Sequence, residues 1–374
     1  MFELIFDPYN YPFWVIVTAI IVGVIAIISR PFSTYVMFTY PNAKYEAIGN
    51  PLVTEKELSR IAASTNLSDL KDALNASKDY DLSGDNTYDI QQSLDENLIQ
   101  TIEMMRKDSS MKMNDFFDTY IEKLDTYLIK NMIKNKLNDR KIDERIIEKA
   151  TLPQTKTLLQ KIMESEKQNI PEFLKVYGFE KEVIEAISEE NVDLLELDTT
   201  IDKHIINRFK QIKVPYKCDK AKRKFVGTLV DIITIKNILR AKQLGYDNES
   251  CKKFYLGEGQ NIAEWKFKEM TELDSVANVI SSLEGTSYYD ALKDSIEDYN
   301  KEKSVQVLEN ALDSHLLKLV EDISTQNYVT IGPTFRFIVT KEFEIENLKI
   351  IVKGVSEGLS AEIIKPLLIT EANI

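Results

Sequence analysis

Residues 231–242 read Asp-Ile-Ile-Thr-Ile-Lys-Asn-Ile-Leu-Arg-Ala-Lys, and residues 125–136 read Asp-Thr-Tyr-Leu-Ile-Lys-Asn-Met-Ile-Lys-Asn-Lys. Both stretches begin with Asp, contain Ile-Lys-Asn at the same place and end in Lys. A third copy at 344–354 keeps the initial acid and two Lys residues, and a fainter copy spans 39–49. The copies start at 39, 125, 231 and 344, so the gaps are 86, 106 and 113 residues. Solenoid repeats are roughly 20–50 residues long. The longer gaps therefore predict a few duplicated helical lobes.

Within each of the three clearer copies, two basic residues stand four positions apart, on one face of a helix. These pairs are Lys130 with Lys134, Lys236 with Arg240, and Lys349 with Lys353. Like charges at this spacing destabilise a helix by a few tenths of a kcal/mol. Their recurrence in three copies therefore indicates that the basic stripe has a function. We expect this stripe to face a partner or another lobe, and we predict that the six residues are partner-binding. The alternative is an ordinary amphipathic helix with a solvated lysine face.

The composition favours an all-α fold. The chain has 374 residues, of which 44% are hydrophobic, but only 12 Gly and 10 Pro. So few turn-forming residues leave little room for a sandwich or barrel with many strands. The net charge of −13 argues against nucleic-acid binding. The segment 208–224 is basic, in contrast to the acidic chain as a whole. It could contact an acidic partner or anionic lipid head groups. The alternative is a solvated linker between lobes.

The usual signatures of catalysis, metal binding and nucleotide binding are missing. Cys218 and Cys251 lie 33 residues apart, with no CxxC spacing, and the only histidines are His204 and His315. The chain contains no GxxxxGK[ST] phosphate loop, no HExxH and no GxSxG. We therefore expect no catalytic residues, metal, cofactor or bound nucleotide. An enzyme with an unrecognised site would need a deep pocket where carboxylates meet one of the histidines.

An uncharged segment near the N-terminus predicts a membrane anchor. Residues 8–29 carry no charge and include the apolar run 13–28. As a helix, 22 residues at about 1.5 Å each span roughly the 30 Å of a hydrocarbon core. Glu3 and Asp7 precede the run and Arg30 and Lys44 follow it, which places the N-terminus outside the cell membrane and the body on the cytoplasmic face. A cleaved signal peptide is disfavoured because there is no basic n-region.

The rest of the chain reads as successive helices in three lobes. The predicted bounds are 1–34 for the anchor and 35–122, 123–225 and 226–374 for lobes 1, 2 and 3. Residues 30–44 are expected to form a Pro-containing connector, 76–86 a polar loop, and 90–136 long paired helices. Pro153 and Pro171 suit first helical turns. The segment Tyr328–Thr340 is the one piece that we expect to be extended.

Three motifs, in order along the chain, carry a resemblance to a known family. Tyr40-Pro-Asn-Ala-Lys-Tyr-Glu-Ala-Ile-Gly49, followed by Pro51-Leu-Val-Thr-Glu-Lys-Glu-Leu58, resembles the opening of the C subunit of archaeal A-type ATP synthases, a relative of the V-ATPase d subunit. Residues 231–242 resemble a later helix of that family, and 346–354 with Gly358-Leu-Ser-Ala-Glu362 are similar to its C-terminal signature. Ile48 departs from the family, which tends to carry a basic residue there. The N-terminal apolar segment is a second departure.

The resemblance implies an all-helical funnel of three lobes around a pseudo-threefold axis. Such a protein hydrolyses no nucleotide. It links the proteolipid subunits of the membrane rotor ring to the central shaft subunits and transmits torque for ion-coupled ATP synthesis or hydrolysis. A different reading is a membrane-anchored helical scaffold or tether unrelated to ATPases, which would be an elongated bundle without a central cavity.

Overall fold

A computed structural model describes residues 11–50, 54–76 and 79–370, and across these residues the chain is helical, with no strand. The prediction of an all-α fold is confirmed. The helices are α1 Tyr11–Ile48, α2 Glu55–Ala62, α3 Leu67–Asn75, α4 Thr87–Asp108, α5 Asn114–Leu137, α6 Arg145–Lys149, α7 Pro153–Glu164, α8 Ile170–Tyr177, α9 Lys181–Ile187, α10 Leu194–Gln211, α11 Asp219–Gln243, α12 Asn248–Cys251, α13 Glu264–Glu272, α14 Val276–Ser282, α15 Ser287–Lys293, α16 Ile296–Glu302, α17 Gln306–Gln326, α18 Gly332–Ser356 and α19 Ala361–Ile364. Short 3₁₀ helices occupy Met111–Met113, Lys167–Asn169, Lys252–Phe254 and Lys365–Leu367.

The three clear copies of the repeated stretch lie on the three helices α5, α11 and α18. Each of these helices packs against another long helix: α5 against α10, α11 against α17, and α18 against α4. Between α5 and α10, and again between α11 and α17, the chain passes through shorter helices, α6–α9 and α12–α16. The duplication seen in the sequence thus corresponds to a repeated pair of long helices.

Three phenylalanines bring the repeat helices together near their N-terminal ends. Phe116 comes from α5, Phe225 from α11 and Phe335 from α18, and all three are fully buried. Their ring centroids lie 4.4 Å apart for Phe225 and Phe335, 5.2 Å for Phe116 and Phe335, and 6.4 Å for Phe116 and Phe225. Aromatic contacts at such distances add about 0.5–1.5 kcal/mol per pair to the area they bury. The junction fixes the three helices against one another at this end.

The apolar interior forms two clusters. One runs from Ile129 to Ile201 and joins α5 to the short helices α7–α9 and to α10. The other contains the aromatic junction and extends through α1–α5 and α10–α19. The lobe bounds of 35–122, 123–225 and 226–374, and the three-lobe funnel itself, remain predictions.

The segment 30–44 is helical, contrary to the expected connector. α1 runs without a break through Pro31 and Pro41, and Thr34, Phe38, Asn42 and Tyr45 form its buried face. Each proline removes one backbone hydrogen bond, while this face packs on α18, where the rings of Tyr45 and Phe337 stack 5.0 Å apart. Burial of the face explains why the helix persists. The fourth, fainter copy thus packs against α18, the helix that carries the C-terminal copy.

The segment expected to be extended is also helical. α18 begins at Gly332 with Pro333 in its first turn and continues to Ser356. The aromatic and β-branched residues at 335–340 favour a strand by propensity, but most of them are buried inside the helical core, and tertiary packing overrides propensity. Other local predictions are confirmed: Pro153 and Pro171 stand in first turns, and the described part of the polar loop, 79–86, is not helical.

Candidate functional site

The predicted basic residues form ion pairs between the long helices. Lys236 on α11 pairs with Asp313 on α17 at 2.5 Å, and one turn later Arg240 pairs with Glu309. On α5, Lys130 pairs with Asp202 of α10 and Lys134 with Asp198. In both cases the acids also stand four residues apart and run antiparallel to the basic residues. The basic pairs therefore form two equivalent rows of ion pairs with helices of the same chain.

The third copy keeps only the first of these two ion pairs. Lys349 on α18 pairs with Asp95 of α4 at 2.6 Å. The residue four positions before that acid is Gln91, whose amide donates to the backbone oxygen of Lys349 at 3.1 Å. Lys353 instead pairs with Glu357, four residues along its own helix, and both side chains are well exposed. Lys353 is thus the most exposed of the six predicted residues.

The degree of burial separates strong ion pairs from weak ones. Arg240 makes a two-pronged contact with Glu309, through Nε to one carboxylate oxygen and Nη2 to the other. Hydrogen bonding to this buried carboxylate raises the pKa of Arg240 further. Burial raises the pKa of Asp313, while the ammonium of Lys236 opposes that rise. Removing one member of a buried pair costs far more than removing an exposed one.

The acids that open the copies at 125 and 231 are buried, and each ties a later segment to its helix. Sequence reasoning missed this role. Asp125 accepts from the backbone amides of Thr151 and Leu152 at 2.9 and 2.8 Å. Asp231 accepts from the amides of Asn261 and Ile262 at 2.7 and 3.0 Å. Both pairs of amides directly precede a helix, α7 or α13. The Asp at the first position of both copies was the available signal in the sequence. A buried carboxylate needs hydrogen-bond donors such as these backbone amides.

Two further contacts complete these acid sites. Tyr288 donates its hydroxyl to Asp231 at 3.0 Å, and Tyr80 donates to Glu344, the acid of the third copy. Burial raises the pKa of Asp231 to about 6 and also raises the pKa of Asp125 and of Glu344. The three acids therefore stabilise the fold rather than present charge to a partner.

A cavity of about 770 Å³ opens between the repeat helices. Residues of α4, α5, α10, α11 and α18 line it, including the ion pairs Lys130–Asp202 and Lys349–Asp95 and the exposed ring of Tyr127. Ile233 is among the residues that α11 contributes. The other four predicted basic residues lie outside the lining. The cavity is therefore lined by apolar side chains and by charged side chains of both signs, and all three repeat helices bound it.

An acidic cluster lies on the α18 side of this cavity. Glu342 accepts from the ammonium of Lys123 at 2.6 Å and from the hydroxyl of Tyr120. Glu346, one turn further, is also part of the cavity lining. The surrounding protein and the nearby charges of Glu342 and Asp313 raise the pKa of Glu346 to about 7. Like charges therefore lie close together on this wall.

The opposite end of the helix pairs carries exposed apolar side chains. The connections α4–α5, α10–α11 and α17–α18 present Met111, Tyr216 and Val329 to solvent. The basic segment 208–224 spans the second connection, where buried Lys222 donates to the carbonyls of Lys210 and Ile212. α1 is the one helix in the described part of the chain that is long and apolar enough to cross a membrane, and none of its apolar window is buried.

Features expected of an enzyme site do not converge here. Among the described residues there is no group of three His, Cys, Asp or Glu side chains placed to hold a metal ion. Cys218 and Cys251 are both free and buried. His315 bonds Ser287 and burial lowers its pKa to about 4, and the lining of the cavity includes neither histidine.

Fold and site together define an all-helical protein with a cavity between duplicated helices and, in the part that the structure describes, no group of side chains placed to hold a metal ion. The model of the ATP synthase (C/AC39) subunit family matches residues 41–367. The chain belongs to this family. The prediction of a non-catalytic subunit of a rotary ATP synthase is thereby confirmed, and the tether unrelated to ATPases is excluded.

Curated relatives agree over nearly the whole chain. The C subunit of the A-type ATP synthase of Methanosphaera stadtmanae is 31% identical over 350 residues, which cover 91% of this chain and 90% of the relative. The protein of the same name from Methanothermobacter thermautotrophicus is 28% identical over 356 residues, covering 93% and 92%. That of Thermococcus kodakarensis is 26% identical over 343 residues, covering 88% and 90%. The chain is thus part of a membrane-associated complex, with its partners inside that complex.

Proposed function

We propose that this chain is the rotor component that joins the membrane ring to the central shaft and transmits torque between them. The cavity bounded by all three repeat helices carries this proposal, because it is a socket of the right kind for the foot of a shaft. A socket that transmits torque without a covalent bond must resist deformation. The packed long helices, the buried acids and the ion pairs supply that resistance.

The body is proposed to be a funnel of three lobes, 35–122, 123–225 and 226–374, around a pseudo-threefold axis. The equivalent ion pairs Lys130–Asp202, Lys236–Asp313 and Lys349–Asp95 support this arrangement. They relate α5 to α10, α11 to α17 and α18 to α4 in the same way. In this scheme α18, in lobe 3, packs on α4 of lobe 1 and so closes the ring of lobes, and the aromatic junction is the narrow end.

The shaft is proposed to bind in the cavity through its charged walls. Six basic residues are proposed as contacts: Lys130 and Lys349 line the cavity, whereas Lys134, Lys236, Arg240 and Lys353 lie outside its lining and would meet the shaft beyond it. Because most of them already hold an acid of this chain, they would present ion pairs to the shaft rather than bare positive charge. Lys353 has the most exposed side chain of the six and is the strongest candidate for a direct contact with an acidic residue of the shaft.

The narrow end is proposed to rest on the rotor ring. Exposed Met111, Tyr216 and Val329 would pack on apolar ring loops, since exposed apolar groups near one another mark interaction surfaces. α1 leaves the body at this end and would cross the membrane, with the N-terminus outside and the body in the cytoplasm. Basic residues of 208–224 would then face the cytoplasmic surface, as the positive-inside tendency requires.

Site-specific photo-crosslinking in the intact complex tests this assignment. A benzophenone amino acid at Tyr127, on the cavity wall, is expected to join the chain to a shaft protein, and one at Met111 to a ring protein. Trp265 provides the control, because its ring is as exposed as that of Tyr127, 69% against 66%, but lies outside the cavity. Equal shaft adducts from Trp265 and Tyr127, or none from Tyr127, would contradict the proposal.

A further inference from the structure

The body-side part of α1 touches all three connections between the paired long helices. Asn42 donates to the carbonyl oxygens of Tyr328 and Thr330, in the α17–α18 connection, at 2.8 and 2.9 Å. Lys44 pairs with Asp108, where α4 ends, at 2.6 Å.

Other side chains of α1 extend these contacts to the remaining connection. Tyr35 accepts a hydrogen bond from Lys217, in the α10–α11 connection, at 3.2 Å, and Arg30 stacks over the ring of Tyr216 in the same connection. The hydroxyl of Tyr45 bonds Ser109, directly after α4. One helix is therefore held by three segments that lie far apart in sequence.

These contacts fix where α1 sits relative to the three repeat helices. Each connection leads into the N-terminal end of α5, α11 or α18, the ends at which Phe116, Phe225 and Phe335 meet. A helix that touches all three connections lies over this junction. It therefore stands near the line that the three helices surround, and not at the outer edge of the body.

The outer part of α1 has no polar side. Ile20, Ile21 and Val22 are all more than half exposed, although successive residues of a helix point about 100° apart. A helix that lay against one protein surface would differ between its faces. This segment is apolar all round and requires apolar surroundings on every side. From residue 11 to residue 30 it is long enough to cross a hydrocarbon core of about 30 Å.

We infer that the apolar segment of α1 stands inside the rotor ring, on its axis, with the apolar inner wall of the ring's membrane helices around it. This inference rests on the proposed function, which seats the body centrally on the ring. A helix fixed to a rotating body but outside the ring would sweep a circle through the bilayer and collide with the stationary membrane proteins of the complex. On the axis it turns in place, keeps body and ring concentric and fills the pore.

Photo-crosslinking from four sides of the helix tests the inference in the complete complex, purified from native membranes. The benzophenone amino acid is placed in turn at Ile20, Ile21, Val22 and Gly23, which face four directions. A Cβ atom at Gly23 would meet no atom within 4 Å beyond the adjoining backbone of its own helix, so a large side chain fits there. A helix enclosed by the ring is expected to give adducts with ring proteins from all four positions, in comparable yield.

Each other outcome overturns the inference. Ring adducts from one face, with lipid adducts from the opposite face, would put α1 outside the ring. Lipid adducts from all four positions would put it in bulk lipid or in a lipid-filled pore without contact to the wall. In both cases the Tyr127 variant would still give shaft adducts, and the proposed function would stand. Absence of ring and shaft proteins from every preparation would overturn the proposed function as well.

Discussion

Arg240 and Lys353 occupy the same position in two copies of the repeat, but their ion pairs contribute differently to the free energy of unfolding. Arg240 holds both carboxylate oxygens of Glu309, a residue that is 4% exposed. Lys353 pairs with Glu357 at the surface, where the two side chains are 62% and 57% exposed. Replacing each basic residue by Met keeps an unbranched chain of good helix propensity, so any difference in cost reports the ion pair.

The expected costs follow from what is left behind. Arg240→Met leaves the carboxylate of Glu309 without its cation, a change that costs about 3–5 kcal/mol when no water can enter. The arginine side chain is 39% exposed, so water reaches part of the vacated space. We therefore expect a loss of about 2–3 kcal/mol in the free energy of unfolding. Lys353→Met removes an exposed i,i+4 pair and is expected to cost about 0.3–0.5 kcal/mol.

The assay is urea unfolding of the full-length protein in mild detergent, followed by far-ultraviolet circular dichroism. A double variant, Arg240→Met with Glu309→Met, is expected to recover most of the lost stability, because no buried charge then remains unpaired. Equal costs for Arg240→Met and Lys353→Met would refute the reasoning. So would a double variant as unstable as the sum of its single changes.

Three other predictions concern the acid sites, the aromatic junction and the anchor. Asp231 binds a proton more readily in the folded protein, with a pKa of about 6 against about 3.9 in the unfolded chain. Its contribution to stability therefore falls as pH rises from about 4 to 6, by at most about 3 kcal/mol. The stability advantage of wild type over Asp231→Asn should accordingly shrink between those pH values in the same urea assay, and an advantage that grows with pH would contradict this. Phe335→Ala should lower the free energy of unfolding by about 3–5 kcal/mol and Phe335→Leu by much less, as read from the urea midpoint. A mild effect of the alanine would mean that the junction contributes little to stability. A protease site added at the N-terminus should be cut in right-side-out vesicles and protected in inverted ones, and the reverse pattern would put the N-terminus in the cytoplasm.

The sequence was informative where identity, spacing and helix periodicity coincide. The copies at 125, 231 and 344 predicted three equivalent helices, and the structure has them as α5, α11 and α18. The family resemblance rested on short motifs in the right order, and the comparisons confirm it. Both successes concern patterns that a single helix carries within its own residues.

The errors concern properties that depend on distant parts of the chain. The partner-binding role of the basic stripe stays a prediction, but the sequence did not indicate its ion pairs. The acids that pair with Lys236 and Arg240 lie about 70–80 residues further on, at Asp313 and Glu309, and no local pattern predicts their approach. The extended segment before Thr340 and the connector through Pro31 and Pro41 failed for the same reason. Burial against helices remote in sequence decided their conformation, against local propensity.

Purification of the full-length chain from native membranes in mild detergent tests most directly whether it joins ring and shaft. We expect proteolipid ring proteins and central shaft proteins to be recovered with this chain in one complex. In that preparation Met111 should crosslink to the ring and Tyr127 to the shaft. Recovery of the chain without ring and shaft would contradict the claim that it joins the two.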